Sequence, residues 1–402
     1  MTIIIFLGSL LAAMAIGVPI AFSLLLCGAA LMWHLNMFDA QILAQNLLEG
    51  SNSFPLLAVP FFMLAGEIMN AGGLSRRIVN FAMALVGHVK GGLGYVTIVA
   101  AVIMASLSGS AVADAAALTA LLLPMMVAAG HDKGRSAGLI ASAGIIAPVI
   151  PPSIGFVIFG VAANVSISKL FMAGVFPGLM LALSLVVTWW WLARKEHITP
   201  PPRKTMAEVL DAMRLATWAL VLPFIIVFGL KFGVFTPTEA AVVAAVYSLF
   251  ISTVIYRELT WKELWDVVHS SSRLTAQILI VVAASGVFSW VLTTSGVPQA
   301  LVQYVSATGE TYWSTLLIIN IFLLIIGCLV DPISAIVLFT PILIPIVQYL
   351  GIDLIHFGVI MAVNLSIGMF TPPFGLNIFT SHALFGARMS TICVGLVPFI
   401  II

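Results

Sequence analysis

Ser106-Leu-Ser-Gly-Ser-Ala-Val-Ala-Asp114 and Val330-Asp331-Pro332-Ile333-Ser334 sit in the middle of two long apolar stretches, 96–127 and 316–347. They hold matching places in a repeat. A shift of 221 positions carries Ser110 onto Asp331, Thr119 onto Thr340, Pro124 onto Pro345, Gly130 onto Gly351 and Asp132 onto Asp353. The same shift carries Pro151-Pro152 onto Pro372-Pro373 without a gap. Two related halves, each interrupted by small, polar or proline residues inside runs of hydrocarbon length, are the pattern of a secondary transporter.

Composition agrees. The 402 residues are 62% hydrophobic and 8% charged, with a mean hydropathy of +1.19. A soluble domain is about 25% charged, so there are too few polar residues here to coat a water-facing surface. The expected fold class is all-α and integral to the membrane, because the apolar runs have helical length and not the alternation of a barrel. Net charge is +1, so membrane lipid and not nucleic acid is the expected surroundings. Cys27, Cys328 and Cys393 are scattered in apolar runs, odd in number and without metal spacing, and read as small apolar packers. Residues 1–35 lack a basic leader region and read as membrane segment, not cleavable signal.

The apolar segments are 3–34 (broken at Gly17-Val18-Pro19), 54–70, 94–129, 136–165, 168–193, 215–232, 236–256, 274–294, 312–350, 355–386 and 391–402. Segments 94–129 and 312–350 are interrupted at their centres and read as re-entrant helical hairpins. Segments 136–165 and 355–386 carry Pro151-Pro152 and Pro372-Pro373 and must unwind there, since proline removes a backbone donor and clashes with the preceding turn. Unwound backbone at membrane depth is tolerated only when buried or facing a watery cavity. The linker from 194 to 214 holds Arg194, Lys195, Arg203, Lys204 and Arg214 and should be cytoplasmic. Stretches 35–53 and 295–311 have no Lys or Arg and should be outward loops, which makes the two halves inverted in topology. Stretches 73–90 and 258–272 look amphipathic, and Trp261 and Trp265 suit a helix at the interface.

Chemistry concentrates at the interruptions. Ser106, Ser108, Gly109 and Ser110, with Asp114 one turn on, offer hydroxyls and freed carbonyls, which are hard oxygen ligands for a small cation. The helix that starts there favours an anion at its N-terminus. Small residues of this kind also serve as close helix contacts. Asp331 is a carboxylate between two long apolar runs, costly unless coordinated or paired. It reads either as an ion ligand or as a cap where Asp-Pro starts a new helix. Thr340 can face the same site. Unwound carbonyls around Ile150, Pro152, Thr371 and Pro373 can bind a cation. Asn364 and Asn377 flank the second break, and Ser142 and Ser153 the first; each can contact substrate or satisfy broken backbone. Glu67, Glu239 and Asp39 are expected near membrane ends, Glu239 as a first-turn acid. The seven histidines show no metal spacing. No nucleophile, base and orienting group share one face, so no enzyme is expected.

The motifs together resemble the large membrane subunit of tripartite ATP-independent periplasmic (TRAP) transporters. They are 106–114, Gly144-Ile-Ile-Ala-Pro-Val-Ile-Pro-Pro-Ser153, Phe235-Thr-Pro-Thr-Glu-Ala240, Asp331-Pro-Ile-Ser-Ala335 and Gly368-Met-Phe-Thr-Pro-Pro-Phe-Gly375. The likeness spans the chain, although the family usually runs on past position 402. It implies a bacterial inner-membrane permease of the ion-transporter superfamily, an inverted-repeat elevator with two re-entrant hairpins and two broken helices. It implies Na+ as the coupling ion, bound near Ser108, Ser110 and Asp331. The implied substrate is an organic acid such as a sialic or other sugar acid or a C4-dicarboxylate. The implied partners are a small four-helix membrane subunit and a periplasmic substrate-binding protein. On this reading 1–93 and 215–311 supply scaffold helices and interfacial arms. Residues 94–165 and 312–386 form the transport domain, 166–214 a scaffold helix with the cytoplasmic linker, and 387–402 the start of a C-terminal membrane segment. No GxxxxGK[ST] stretch is present, which agrees with ion coupling over ATP. The competing readings are a stand-alone proton- or sodium-coupled carboxylate carrier, and a membrane enzyme or assembly scaffold.

Overall fold

Proline and glycine punctuate this chain, and its helices start and stop where they fall. The computed structural model describes residues 2–196, 198–309 and 311–401. Met1, His197 of the expected linker, Glu310 of the expected outward loop and Ile402 of the last segment lie outside the described residues. Among the described residues there are helices and no strands. Eight helices are apolar and long enough, by length and composition, to cross a membrane.

The first half runs α1 (Thr2–Ala15), α2 (Ile20–His34), α3 (Ala40–Ser51), α4 (Ala58–Ala71) and α5 (Leu74–Val86). It continues with α6 (Gly92–Ser108), α7 (Ala111–Ala128), α8 (Lys133–Ala143), α9 (Ile154–Ala162) and α10 (Ile167–Ala193). The second half opens with α11 (Met206–Lys231), α12 (Pro237–Phe250), α13 (Trp261–Thr294) and α14 (Val297–Thr308). It ends with α15 (Tyr312–Leu329), α16 (Pro332–Tyr349), α17 (Leu354–Gly368), α18 (Leu376–Phe385) and α19 (Met389–Ile401). The shift of 221 holds in three dimensions: α7 falls on α16 residue for residue, and α6 and α8 fall on α15 and α17 within one residue at their starts. Both Pro151-Pro152 and Pro372-Pro373 are cis.

The halves are exchanged in packing. Helix α18 packs on α7 as α9 packs on α16; α19 packs on α8 as α10 packs on α17; α12 packs on α4 as α2 packs on α13. Each pair has its repeat-related mirror, so the core is shared and neither half buries its apolar faces alone. Backbones approach closely where both helices carry glycine. A Cβ on Gly395 would lie 2.2 Å from the Gly134 carbonyl, and one on Gly368 would lie 2.1 Å from that of Gly327. Trp189 of α10 is fully buried and donates its indole N–H to the Gly91 carbonyl at 2.8 Å, which ties α10 to the first hairpin.

Four expectations change. Stretches 35–53 and 295–311 are not loops: they contain α3 and α14. Asp39 nucleates α3 by accepting from the Gln41 and Ile42 amides. The amphipathic stretch 258–272 is no separate helix but the first part of α13, whose 34 residues extend about 51 Å and overshoot a hydrocarbon core of about 30 Å. Its counterpart in the first half is α3, cut from α4 by a short turn at Phe54–Leu57 that holds Pro55; α13 has no proline at that place and continues. Part of the expected linker is helical, since Thr205 caps α11. The expectation for Glu239 holds: its amide donates to the Thr236 hydroxyl while its carboxylate accepts from the Thr236 amide at 2.7 Å.

Several basic residues of the expected cytoplasmic side have partners. Lys90 donates to the Arg194 carbonyl, Lys133 lies over the Phe385 ring, and Arg76 and Arg77 both bind Glu258. Burial pushes the Glu258 carboxyl up, but the bonds from Arg77 and Arg76 outweigh it and hold the group below the ordinary carboxylate range. A lowered carboxyl stabilises the fold above its unfolded pKa of about 4.3, and that contribution fades as pH falls through the folded value. The pair is partly exposed, so Glu258→Gln should cost at most about 1 kcal/mol at neutral pH, or about 1–2 °C of melting temperature. Melting curves of the two proteins should converge as the pH drops below about 4.

Candidate functional site

Two helices end and two begin at the hairpin tips, which leaves polar backbone in the middle of the molecule. Helix α6 stops because Gly109 adopts the left-handed conformation, φ +61. Ser110 then caps α7 by accepting from the Ala113 amide. The tip is knit further by Ser108, whose hydroxyl donates to Asp114 and accepts from the Ser110 amide. The second Asp114 oxygen is buried and has no partner among the described residues. In the other hairpin Asp331 caps α16, accepting from the Ser334 amide at 2.9 Å. The cap reading of Asp331 holds, and the same residue also lines a cavity.

The tips face a common cavity of about 500 Å³. Ser108, Gly109, Ser110 and Ala111 line it from the first hairpin, and Asp331, Pro332 and Ile333 from the second. Ile154 and Gly155 add the start of α9, and Leu376 the start of α18. Four helix N-termini, two from each repeat, thus converge on one space. Helices α4 and α13 complete the lining through Met63, Gly66, Glu67, Leu274, Gln277 and Ile278. Among the described residues the lining has two carboxylates, Glu67 and Asp331, and no lysine, arginine or histidine.

The first broken helix closes on the first tip: a Cβ on Gly109 would lie 2.3 Å from the Pro152 carbonyl oxygen. That carbonyl and the left-handed turn therefore touch. Ile150 is buried, its side chain against Gly178 of α10. The other expected residues are placed away from the lining. Thr340 is buried and donates to the Met361 sulfur. Thr371 donates to the Ile367 carbonyl, and Pro373 beside it is exposed. Ser106 donates to the Ile103 carbonyl, and Ser153 to that of Pro148 while it caps α9. Asn364 donates to Asn320 and to the Ile360 carbonyl, and Asn377 reaches across the halves to the Ala141 carbonyl at 2.9 Å. Of the two roles open to these serines and asparagines, the hydrogen bonds fill the backbone-satisfying one. Sequence reasoning missed Glu67, Gln277 and Ser366, which do line the cavity. Glu67 was placed near a membrane end, yet α4 brings it inward: a Cβ on the preceding Gly66 would lie 3.2 Å from Cα of Ser108.

Residues 7–402 match the family model described as the DctM component of tripartite ATP-independent periplasmic transporters. The chain is 51% identical over 385 residues to the 2,3-diketo-L-gulonate TRAP transporter large permease protein YiaN of Escherichia coli, covering 95% of this chain and 91% of that protein. It is 41% identical to the C4-dicarboxylate permease DctM of Pseudomonas aeruginosa, covering 94% and 89%. It is 36% identical to the sialic acid permease SiaM of Vibrio cholerae, covering 96% and 90%. The crystal structure of the Alcanivorax borkumensis YdaH transporter superposes with a TM-score of 0.66 over 90% of this chain and 86% of that one; at 14% identity it speaks for the fold alone. The protein is a multi-pass component of the bacterial inner membrane and a transport protein, not an enzyme. By family model and by its relatives, the chain belongs to the TRAP transporter large permease family.

Proposed function

We propose that this chain is the permease of a sodium-coupled importer of organic acids, working with a small four-helix membrane subunit and a periplasmic binding protein that delivers the substrate. The observation that carries the reading is the convergence of four helix N-termini on one cavity without a basic side chain in its lining. Helix N-termini stabilise an anion through their dipoles and free amides. The substrates in the relatives' names (a diketogulonate, C4-dicarboxylates and sialic acid) are all carboxylates.

Charge balance supplies the coupling. An anion entering a cavity that already holds Glu67 and Asp331 is repelled unless cations enter with it. The carbonyls at the end of α6, that of Pro152 and the Asp331 carboxylate are hard oxygen donors suited to sodium. Each net positive charge moving inward gains about 2.3 kcal/mol per 100 mV. The hairpins and broken helices, 94–165 and 312–386, move as one body past the wall formed by α4 and α13, carrying the site from one face to the other.

The test is uptake into proteoliposomes holding this chain and its small subunit, with the binding protein outside. An inward sodium gradient should raise uptake at least tenfold over a potassium control, and the binding protein should be required. Uptake driven equally by a proton gradient, or without the binding protein, points instead to a stand-alone carrier.

A further inference from the structure

Two carboxylates line the cavity, Asp331 from a hairpin tip and Glu67 from α4, and the second bears on which acids fit. The four helix N-termini come from the hairpins and broken helices. Helices α4 and α13 contribute one carboxylate and one carboxamide to the lining, Glu67 and Gln277. Glu67 is half-buried, and no side chain among the described residues hydrogen-bonds or ion-pairs with it. An acid whose carboxylate meets the N-termini leaves its other end to the rest of the lining, which α4 and α13 supply in part. There a carboxylate accepts hydrogen bonds and offers none, and a carboxamide does both.

We propose that Glu67, with Gln277 in the same lining, makes the cavity selective for polyhydroxylated monocarboxylates over dicarboxylates, by accepting hydrogen bonds from the substrate's hydroxyl end. This rests on the organic-acid reading above. A second carboxylate at that end faces Glu67 with no lysine, arginine or histidine in the lining to offset it, and like charges at contact range in a partly dry cavity repel strongly. Hydroxyls in the same place pair with an acceptor that is otherwise without a partner. A site built to bond a substrate's hydroxyls discriminates well against analogues that lack them, because its own polar group is then left unpaired. Glu67 belongs to α4, which touches the first hairpin at Gly66 and Ser108, so its carboxylate lines the same cavity as the tips.

The binding protein makes its own selection, so the measurement must bypass it. The purified permease with its small subunit, in saturating sodium, is titrated with D-gluconate and with succinate by calorimetry. Wild type should bind gluconate at least tenfold tighter than succinate. Glu67→Gln should shrink that ratio about tenfold, with succinate binding tighter and gluconate weaker. Glu67→Asp keeps the charge and should keep the preference, which separates the carboxylate's role from a packing defect. Equal effects of Glu67→Gln on both acids, or a wild type that prefers succinate, overturn the selectivity. Failure of both acids to bind in sodium overturns the organic-acid reading itself.

Discussion

Replacing Asp331 by alanine is expected to lower sodium-driven uptake at least a hundredfold, about 2.7 kcal/mol, while the protein still folds and inserts. Two things are lost together. The cap on α16 disappears, since Asp331 accepts from the Ser334 amide, and a lost cap costs about 1 kcal/mol of stability. The carboxylate in the cavity wall also disappears, and a charge within about 4 Å of a bound cation contributes about 4 kcal/mol at an effective dielectric near 20. The second effect should dominate. The repeat supplies the variant that separates them, because Ser110 holds the equivalent place in the first hairpin and caps α7 with its hydroxyl. Asp331→Ser and Asp331→Asn both keep a capping acceptor and remove the charge. Both should melt within a few degrees of wild type and still lose sodium-dependent uptake. Transport restored in either one would mean that Asp331 is only a cap, and the coupling ion would have to be sought elsewhere.

Why the tips were legible and the lining from α4 and α13 was not is a matter of range. Helix ends are local chemistry. Asp132 and Asp353 each cap the helix that follows, accepting from the Arg135 and His356 amides at 2.8 Å. Gly130 and Gly351 both adopt positive φ. Such residues advertise themselves within four positions, and the repeat doubles the signal. Asp39 carries the same local signal for α3, which the expectation of an outward loop over 35–53, drawn from its lack of lysine and arginine, passes over. Glu67 carried no local signal at all. It lies among apolar residues of α4, and only the approach of Gly66 to Ser108, a contact between segments far apart in sequence, turns it into the cavity. Asn364 and Asn377 carry an ambiguous signal. A polar side chain beside a helix break looks like a ligand, but a break creates unpaired carbonyls, and buried polar groups are satisfied first.

Gly109→Ala tests whether the first tip and the first broken helix must touch. At φ +61 a side chain strains the backbone by about 1–2 kcal/mol. The added methyl would also sit 2.3 Å from the Pro152 carbonyl oxygen, a contact between a Cβ and backbone that no rotamer change relieves. The hairpin must therefore retreat from the break, and the Pro152 carbonyl leaves the space it shares with Ser108 and Ser110. Uptake should fall at least a hundredfold, since a displacement of about 1 Å in a preorganised site costs that much. Gly130→Ala is the control. Its φ of +95 imposes similar backbone strain, but nothing lies within 4 Å of the new methyl. That variant should lose stability by about 1–2 kcal/mol and keep uptake within about threefold of wild type. If the two variants transport alike, left-handed strain alone explains the glycine, and the contact between tip and broken helix plays no part in holding the ion.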